Sequence, residues 1–179
     1  MKEYPIVIIT QEMIDEAKKL TPQVKIHRTI ASKIDTITGI LGEFAFAEYM
    51  YDDWRKNRVE ENKGDVNFVD IEIKTSAFPF RETLNLLVRE DYAMKRKPPF
   101  YVQIIIDVKD RKADNIIAGT KAYIAGWASA DEVGNAPKRD FGSKLSDYGG
   151  YKCYYIQIKN LRSMKSFKEE YYKNHKGRK

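Results

Sequence analysis

The residues best suited to chemistry lie within residues 64–76, where two acids and a lysine follow one another closely. Apolar and charged residues alternate from Ile71 to Lys74, which predicts a β-strand with Glu72 and Lys74 on one face. Asp65 precedes this strand by one short hairpin arm, so we expect it to fold back beside Glu72. Two carboxylates beside an amine form a plausible site for a divalent cation. The stretch therefore predicts a metal-dependent site that cleaves phosphodiester bonds.

A predicted helix upstream supplies a third acid. Helical periodicity covers residues 32–52 and places Glu43 on a stripe of small and apolar residues. Gly39 and Gly42 each cost about 1 kcal/mol relative to alanine inside a helix, so we expect them to permit close packing against a sheet. Glu43 is then either a site residue on the packed face or, if the face is shifted by one position, a solvent-exposed one.

The remaining pattern predicts a mixed α/β (α+β) chain forming one domain over residues 1–179. The predicted strands are 4–9, 82–88, 100–108, 121–128 and 154–158. The predicted helices are 10–20 with Thr10 as N-cap, 89–95, 130–133 capped by Ser129, and 161–174. The strand at 82–88 is expected to be the third strand of the hairpin's sheet. Residues 134–150 are rich in turn formers and predict a mobile loop, and residues 175–179 form a basic tail.

Composition favours a soluble protein with a polyanionic partner. No apolar run is long enough to span a bilayer and no secretory pattern begins the chain, so we expect no membrane association. The single cysteine, Cys153, cannot form an internal disulfide, which favours a reducing, cytoplasmic compartment, and we expect it to be a small core residue. The net charge of +6 favours a partner such as DNA.

The motifs that carry chemistry are, in chain order, Gly42-Glu43 on a helix, Gly64-Asp65, and Glu72-Ile73-Lys74 on a strand. Together they resemble the PD-(D/E)XK nuclease superfamily, which includes type II restriction endonucleases, archaeal Holliday-junction resolvases and many phage nucleases. The resemblance covers residues 39–80, with glycine standing where the founding motif has proline. It implies a restriction-endonuclease-like core, a central mixed β-sheet flanked by helices, and a DNA endonuclease that uses Mg²⁺, with Mn²⁺ as a substitute.

The resemblance also implies a role for each residue of these motifs. Asp65 and Glu72 would hold Mg²⁺ together with the backbone carbonyl of Ile73. Glu43 would bind a second ion or a metal-bound water. Lys74 would position the attacking water and contact the scissile phosphate.

Further candidates lie downstream of these motifs. Gln103 falls on the following strand, where it either hydrogen-bonds a water or phosphate beside Lys74 or is a polar residue at a sheet edge. The basic residues Lys138, Arg139 and Lys144 of the predicted loop are candidates for phosphate contacts. The strand tyrosines, Tyr155 among them, are expected to pack within or across strands rather than to stack on bases.

Alternative functions remain open at the level of sequence. A non-catalytic nucleic-acid-binding module could use the same fold, although the complete set of two acids and a lysine argues against it. A nuclease could also act on single-stranded or branched DNA, or on RNA. Cutting both strands of a duplex with one site per chain favours a homodimer.

Overall fold

The computed structural model describes residues 2–21, 33–56, 70–95, 98–110, 116–141 and 152–175. Within these ranges the chain contains five α-helices: α1 Gln11–Leu20, α2 Lys33–Tyr51, α3 Glu90–Lys95, α4 Ala130–Gly134 and α5 Met164–His175. Its strands are β1 Ile6–Ile8, β2 Ile71–Ala77, β3 Asn85–Arg89, β4 Phe100–Ile106, β5 Lys121–Ser129, β6 Lys138–Asp140 and β7 Lys152–Gln157. None of the helices in these ranges is long and apolar enough to cross a membrane.

The central sheet has four strands in the order β1-β5-β4-β2. β2 runs parallel to β4, whereas β4 and β5, and β5 and β1, are antiparallel. All seven residues of β4 are buried, because this strand lies inside the sheet and is covered on both faces. The predicted mixed sheet flanked by helices is thereby confirmed.

Two apolar cores lie on opposite faces of the central sheet. One core joins α2 to alternate residues of β4, such as Val102 and Ile104. The other core joins the intervening residues Tyr101 and Ile105 to the second sheet, through Leu86 and other side chains. The alternation of side chains along β4 therefore separates a helix-covered face from a face covered by the second sheet and α4.

The second sheet has three strands in the order β3-β7-β6, all antiparallel. The strand predicted at 82–88 is present as Asn85–Arg89, but its predicted place in the hairpin's sheet is wrong, because β3 pairs with β7 instead. Alternation along a strand reports which face is buried and carries no information about the partner strand.

The predicted loop at 134–150 contains a strand, so this prediction is wrong for residues 138–140. β6 pairs with β7, with Lys138 opposite Tyr154 and Arg139 opposite Cys153. All three residues of β6 are exposed, and an edge strand of this kind has no apolar alternation that sequence reasoning could detect. Residues 142–150 lie outside the described ranges.

Local sequence signals account for the start of two helices and for a close approach in β5. The Thr10 side chain accepts a hydrogen bond from the backbone N–H of Met13, and Ser129 forms a capping box with Glu132, which confirms both predicted N-caps. Gly126 has φ +138°, and a Cβ there would lie 2.8 Å from the carbonyl oxygen of Arg162. Glycine is therefore required at position 126, where β5 passes close to the backbone of Arg162.

Candidate active site

β2 arranges Glu72 and Lys74 as the alternation predicted. Ile71 is buried and Ile73 packs against the helix-covered core, whereas the two charged side chains project from the other face. Lys74 Nζ donates a hydrogen bond to Glu72 Oε1 at 2.8 Å, and the side chains are 31% and 25% exposed. The predicted placement of an acid and an amine side by side on one face is confirmed, and both groups are within reach of a ligand.

β4 adds a second polar side chain to the same face. Gln103 lies opposite Lys74 in the parallel register, and the residue is only 1% exposed. Its Nε2 donates to the carbonyl oxygen of Ile104 at 3.0 Å, next to a bulge between these two residues. Gln103 therefore belongs to the interior beside Lys74, and the alternative of an edge residue is wrong.

Tyr101 borders the ion pair from the same strand as Gln103. It lies opposite Glu72 in the register with β4 and is 3% exposed. Burial, and then the negative charge of Glu72, raise the pKa of the Tyr101 phenol to about 12. The face thus combines a carboxylate, an ammonium, an amide and a neutral phenol.

The second sheet packs on this face of the central sheet through the core that contains Tyr101 and Ile105. Burial raises the pKa of the Cys153 thiol, while the positive charges of Arg89 and Lys74 act in the opposite direction. Cys153 is 8% exposed on β7, which confirms its predicted role as a buried strand residue. Leu86 and Val88 of β3 share an apolar core with Tyr101, opposite Glu72, so the small sheet lies beside the candidate site, a proximity that no pattern in the sequence predicts.

Glu43 lies on the helix that contacts the opposite face of β2. A Cβ at Gly42 would overlap the Thr75 side chain, lying 2.7 Å from its Cβ, so α2 packs directly on β2 at this point. Thr75 follows Lys74 and therefore faces the other way. Glu43 and Glu72 thus lie on elements that touch, but on opposite sides of the strand, with Glu43 half-buried.

The proposed metal ligands are only partly placed. Asp65 lies outside the described residues, and within the described part of the chain no three His, Cys, Asp or Glu side chains come together as a metal-binding group. The half-buried carboxylate of Glu72 is a hard oxygen donor of the kind that Mg²⁺ prefers. It fits one position of such a site, and the backbone of Ile73 lies beside it on β2.

The predicted phosphate contacts have unequal surroundings. Lys138 Nζ donates to Glu90 Oε1 at 2.7 Å, so its charge is already compensated. The Arg139 guanidinium lies over the rings of Phe141 and Tyr155, and forms no ion pair with a carboxylate among the described residues. Lys144 lies outside the described residues. The sequence suggested the same role for Lys138, Arg139 and Lys144, because it does not reveal which side chains contact each of them.

Comparisons with protein-family models, with curated proteins and with solved structures find no match. The functional assignment therefore depends on the residues and geometry of the chain itself.

Proposed function

We propose that this chain is a Mg²⁺-dependent DNA endonuclease that hydrolyses phosphodiester bonds. The observation that supports it best is the Glu72–Lys74 pair, 2.8 Å apart on an end strand of the central sheet, with buried Gln103 opposite Lys74. A carboxylate and an amine that share one face can serve a cation and a phosphate at the same time. The fold that we propose for this site is the restriction-endonuclease-like core.

Each side chain has a task that its surroundings permit. Glu72, with Asp65 and the Ile73 carbonyl, would hold Mg²⁺, and the bound ion would neutralise charge on the scissile phosphate and lower the pKa of water. Lys74, released from Glu72, would orient the attacking water and contact the phosphate. Gln103 would fix the position of Lys74 or of that water from inside the sheet.

Glu43 has a less direct place in this proposal. Because α2 covers the opposite face of β2, the Glu43 carboxylate would have to reach around the edge of that strand. It would then bind a second ion or a metal-bound water. We also propose an intracellular setting and a homodimer, since one site per chain must act twice to cut a duplex.

Cleavage assays with purified protein test the proposal. Supercoiled, linear, branched and single-stranded DNA, together with RNA, are incubated in Mg²⁺, in Mn²⁺ and in EDTA. We expect cleavage of DNA in either metal and none in EDTA. Cleavage that persists in EDTA, or protein that leaves every substrate intact in both metals, would contradict the proposal.

A further inference from the structure

A second surface of interest lies on the small sheet, at β6 and β7. Arg139 stacks on two rings, with its Cζ 4.4 Å from the Phe141 centroid and 5.7 Å from the Tyr155 centroid. The two rings are themselves in edge contact, with centroids 5.5 Å apart. Neither ring belongs to the two apolar cores, so this group is not part of the interior packing.

The charge of Arg139 is available to a ligand. Two other cations of this sheet are paired, Lys138 with Glu90 at 2.7 Å and Arg89 with Asp91 at 2.7 Å. Arg139 is exposed on the edge strand β6 and forms no such pair with a described carboxylate. A guanidinium that already stacks on aromatic rings presents its N–H groups in a fixed plane, which suits a phosphate group.

A cavity of about 340 Å³ opens beside the same aromatic group and shares Tyr155 with it. This volume lies within the range of small-ligand pockets, about 300–1,000 Å³. It is lined by apolar residues such as Trp127 and Leu161, by Gln157 and Asn160, and by the ion pair of Arg162 with Glu132, in which the arginine compensates the carboxylate. An amide side chain offers both donors and acceptors, so the lining combines apolar residues with the hydrogen-bonding groups that the edge of a nucleobase requires.

The register of the small sheet connects this surface to the candidate active site. Arg139 and Arg89 both lie opposite Cys153, on either side of β7, and Leu87 lies opposite Tyr155. Residues opposite one another in antiparallel strands share a face, so these side chains form one continuous surface. Leu86 and Val88 alternate with these residues and share an apolar core with Tyr101, so the surface lies on the outer face of the sheet that covers the candidate site.

We propose that this face binds single-stranded nucleic acid, with a phosphate on Arg139, a base on Tyr155 and Phe141, and one unpaired base in the cavity. The inference deepens the proposed nuclease function, on which it rests, by assigning unpaired segments, including those that open within a DNA duplex, as the substrate class. A double helix keeps its bases stacked and paired, so it cannot place one in the cavity without paying to extrude it. Positive charge and aromatic rings together are the features of surfaces that hold single strands.

Fluorescence anisotropy in EDTA tests the inference separately from cleavage. The probes are a labelled oligothymidylate, a blunt duplex of equal length and an abasic oligomer. We expect the wild-type protein to bind the oligothymidylate more tightly than either of the others. Equal or tighter binding of the duplex or of the abasic oligomer would overturn the inference.

Two variants locate the binding surface. Tyr155→Leu should weaken binding of the oligothymidylate about 5- to 150-fold, the range expected for one lost base stack. Arg139→Ala, on an exposed strand, should lower the slope of log Kd against log salt by about 0.7, the value for one phosphate contact on a single strand. Unchanged affinity in Tyr155→Leu, with its thermal midpoint preserved, or an unchanged salt slope in Arg139→Ala would overturn the inference.

Arg55→Ala is the matched control. This arginine also stacks on an aromatic ring, 4.4 Å from the Trp54 centroid, but it pairs with Glu12 at 2.6 Å and lies beside α2. Its removal changes the net charge equally, so we expect affinity and salt slope to match the wild type, and a loss equal to that of Arg139→Ala would overturn the inference. Binding that depends on Arg139 and Tyr155 without any cleavage would leave this inference standing and contradict only the nuclease proposal.

Discussion

Glu72 and Lys74 hold each other at 2.8 Å on one face of β2, with their side chains 25% and 31% exposed. An ion pair with this degree of exposure contributes about 0–1 kcal/mol to stability. Stability is therefore a weak reason for its presence. Without a bound metal ion, the Lys74 ammonium compensates the charge of the Glu72 carboxylate. The strand holds the two groups side by side, as a metal ligand and a phosphate contact require.

Tyr101 reports on this site through its titration. The pKa of its phenol is raised to about 12, first by burial and second by the charge of Glu72, so the folded state favours the neutral phenol. Its contribution to stability is complete below about pH 10, the pKa of an unfolded tyrosine, and is lost as the pH rises towards 12. We predict that Tyr101→Phe loses less free energy of unfolding than the wild type between about pH 10 and 12, measured by urea denaturation. Equal losses would show that Tyr101 is not held neutral.

The sequence predicted this pair of residues because the relevant signal is local. Alternation from Ile71 to Lys74 is sufficient to place an acid and an amine on one face. The surroundings of Arg139 depend instead on Tyr155, which lies on the adjacent strand β7 and is brought close only by the pairing of β6 with β7. The ion pair of Lys138 with Glu90 is likewise a contact between residues distant in the chain. The sequence therefore offered no reason to distinguish Lys138, Arg139 and Lys144 as phosphate contacts.

At the scale of elements, the contact of α2 with β2 sets the position of the candidate site. The helix approaches so closely at Gly42 that a Cβ there would lie 2.6 Å from Thr75 Cγ2. The prediction of close packing is confirmed at this glycine. It is wrong at Gly39, where a Cβ would meet nothing within 4 Å, because a helix contacts a sheet along one stripe and Gly39 lies off it.

The two glycines form a matched pair for mutagenesis. Gly42→Ala should destabilise the protein by about 1–3 kcal/mol, the cost of overpacking, because Thr75 must move. Gly39→Ala has open space and should stabilise it by up to about 1 kcal/mol through helix propensity. Urea denaturation of both variants measures the difference. Equal effects on the free energy of unfolding would contradict the close contact between α2 and β2.

Strands and helices were predictable where their own residues carry the signal, as in the capped, amphipathic α1 and the continuous apolar run of β4. The pairing of β3 with β7 was not predictable, since these two strands lie far apart in the chain. β6 was not recognised at all, because its three residues are exposed and charged and it exists only by pairing with β7.

At the scale of the whole molecule, the central sheet lies between helices on one face and the small sheet with α4 on the other. The candidate site lies on the second face, where β2 ends the described sheet and the small sheet shares an apolar core with Tyr101. A ligand bound there would contact groups that come together only in the folded chain. Binding should therefore shift the folding equilibrium.

Metal binding should be visible as stabilisation. Mg²⁺ at ten times its dissociation constant would add about 1.4 kcal/mol, which raises the Tm of a chain of this length by about 3–6 °C relative to EDTA. Glu72→Gln should lose most of this shift, because the ligand charge is removed while the shape is kept. Differential scanning fluorimetry measures both proteins, and coincident midpoints for the wild type in Mg²⁺ and EDTA would contradict a metal site.

Cleavage of supercoiled plasmid DNA by the wild type and by Lys74→Ala, prepared in parallel in Mg²⁺, tests the central proposal most directly. Lys19→Ala on α1 serves as control, since Lys19 is 74% exposed on the helical side and carries the same charge. We predict that wild type and Lys19→Ala nick or linearise the plasmid, and that Lys74→Ala leaves it supercoiled. Equal cleavage by Lys74→Ala would contradict the assignment of the active site to β2.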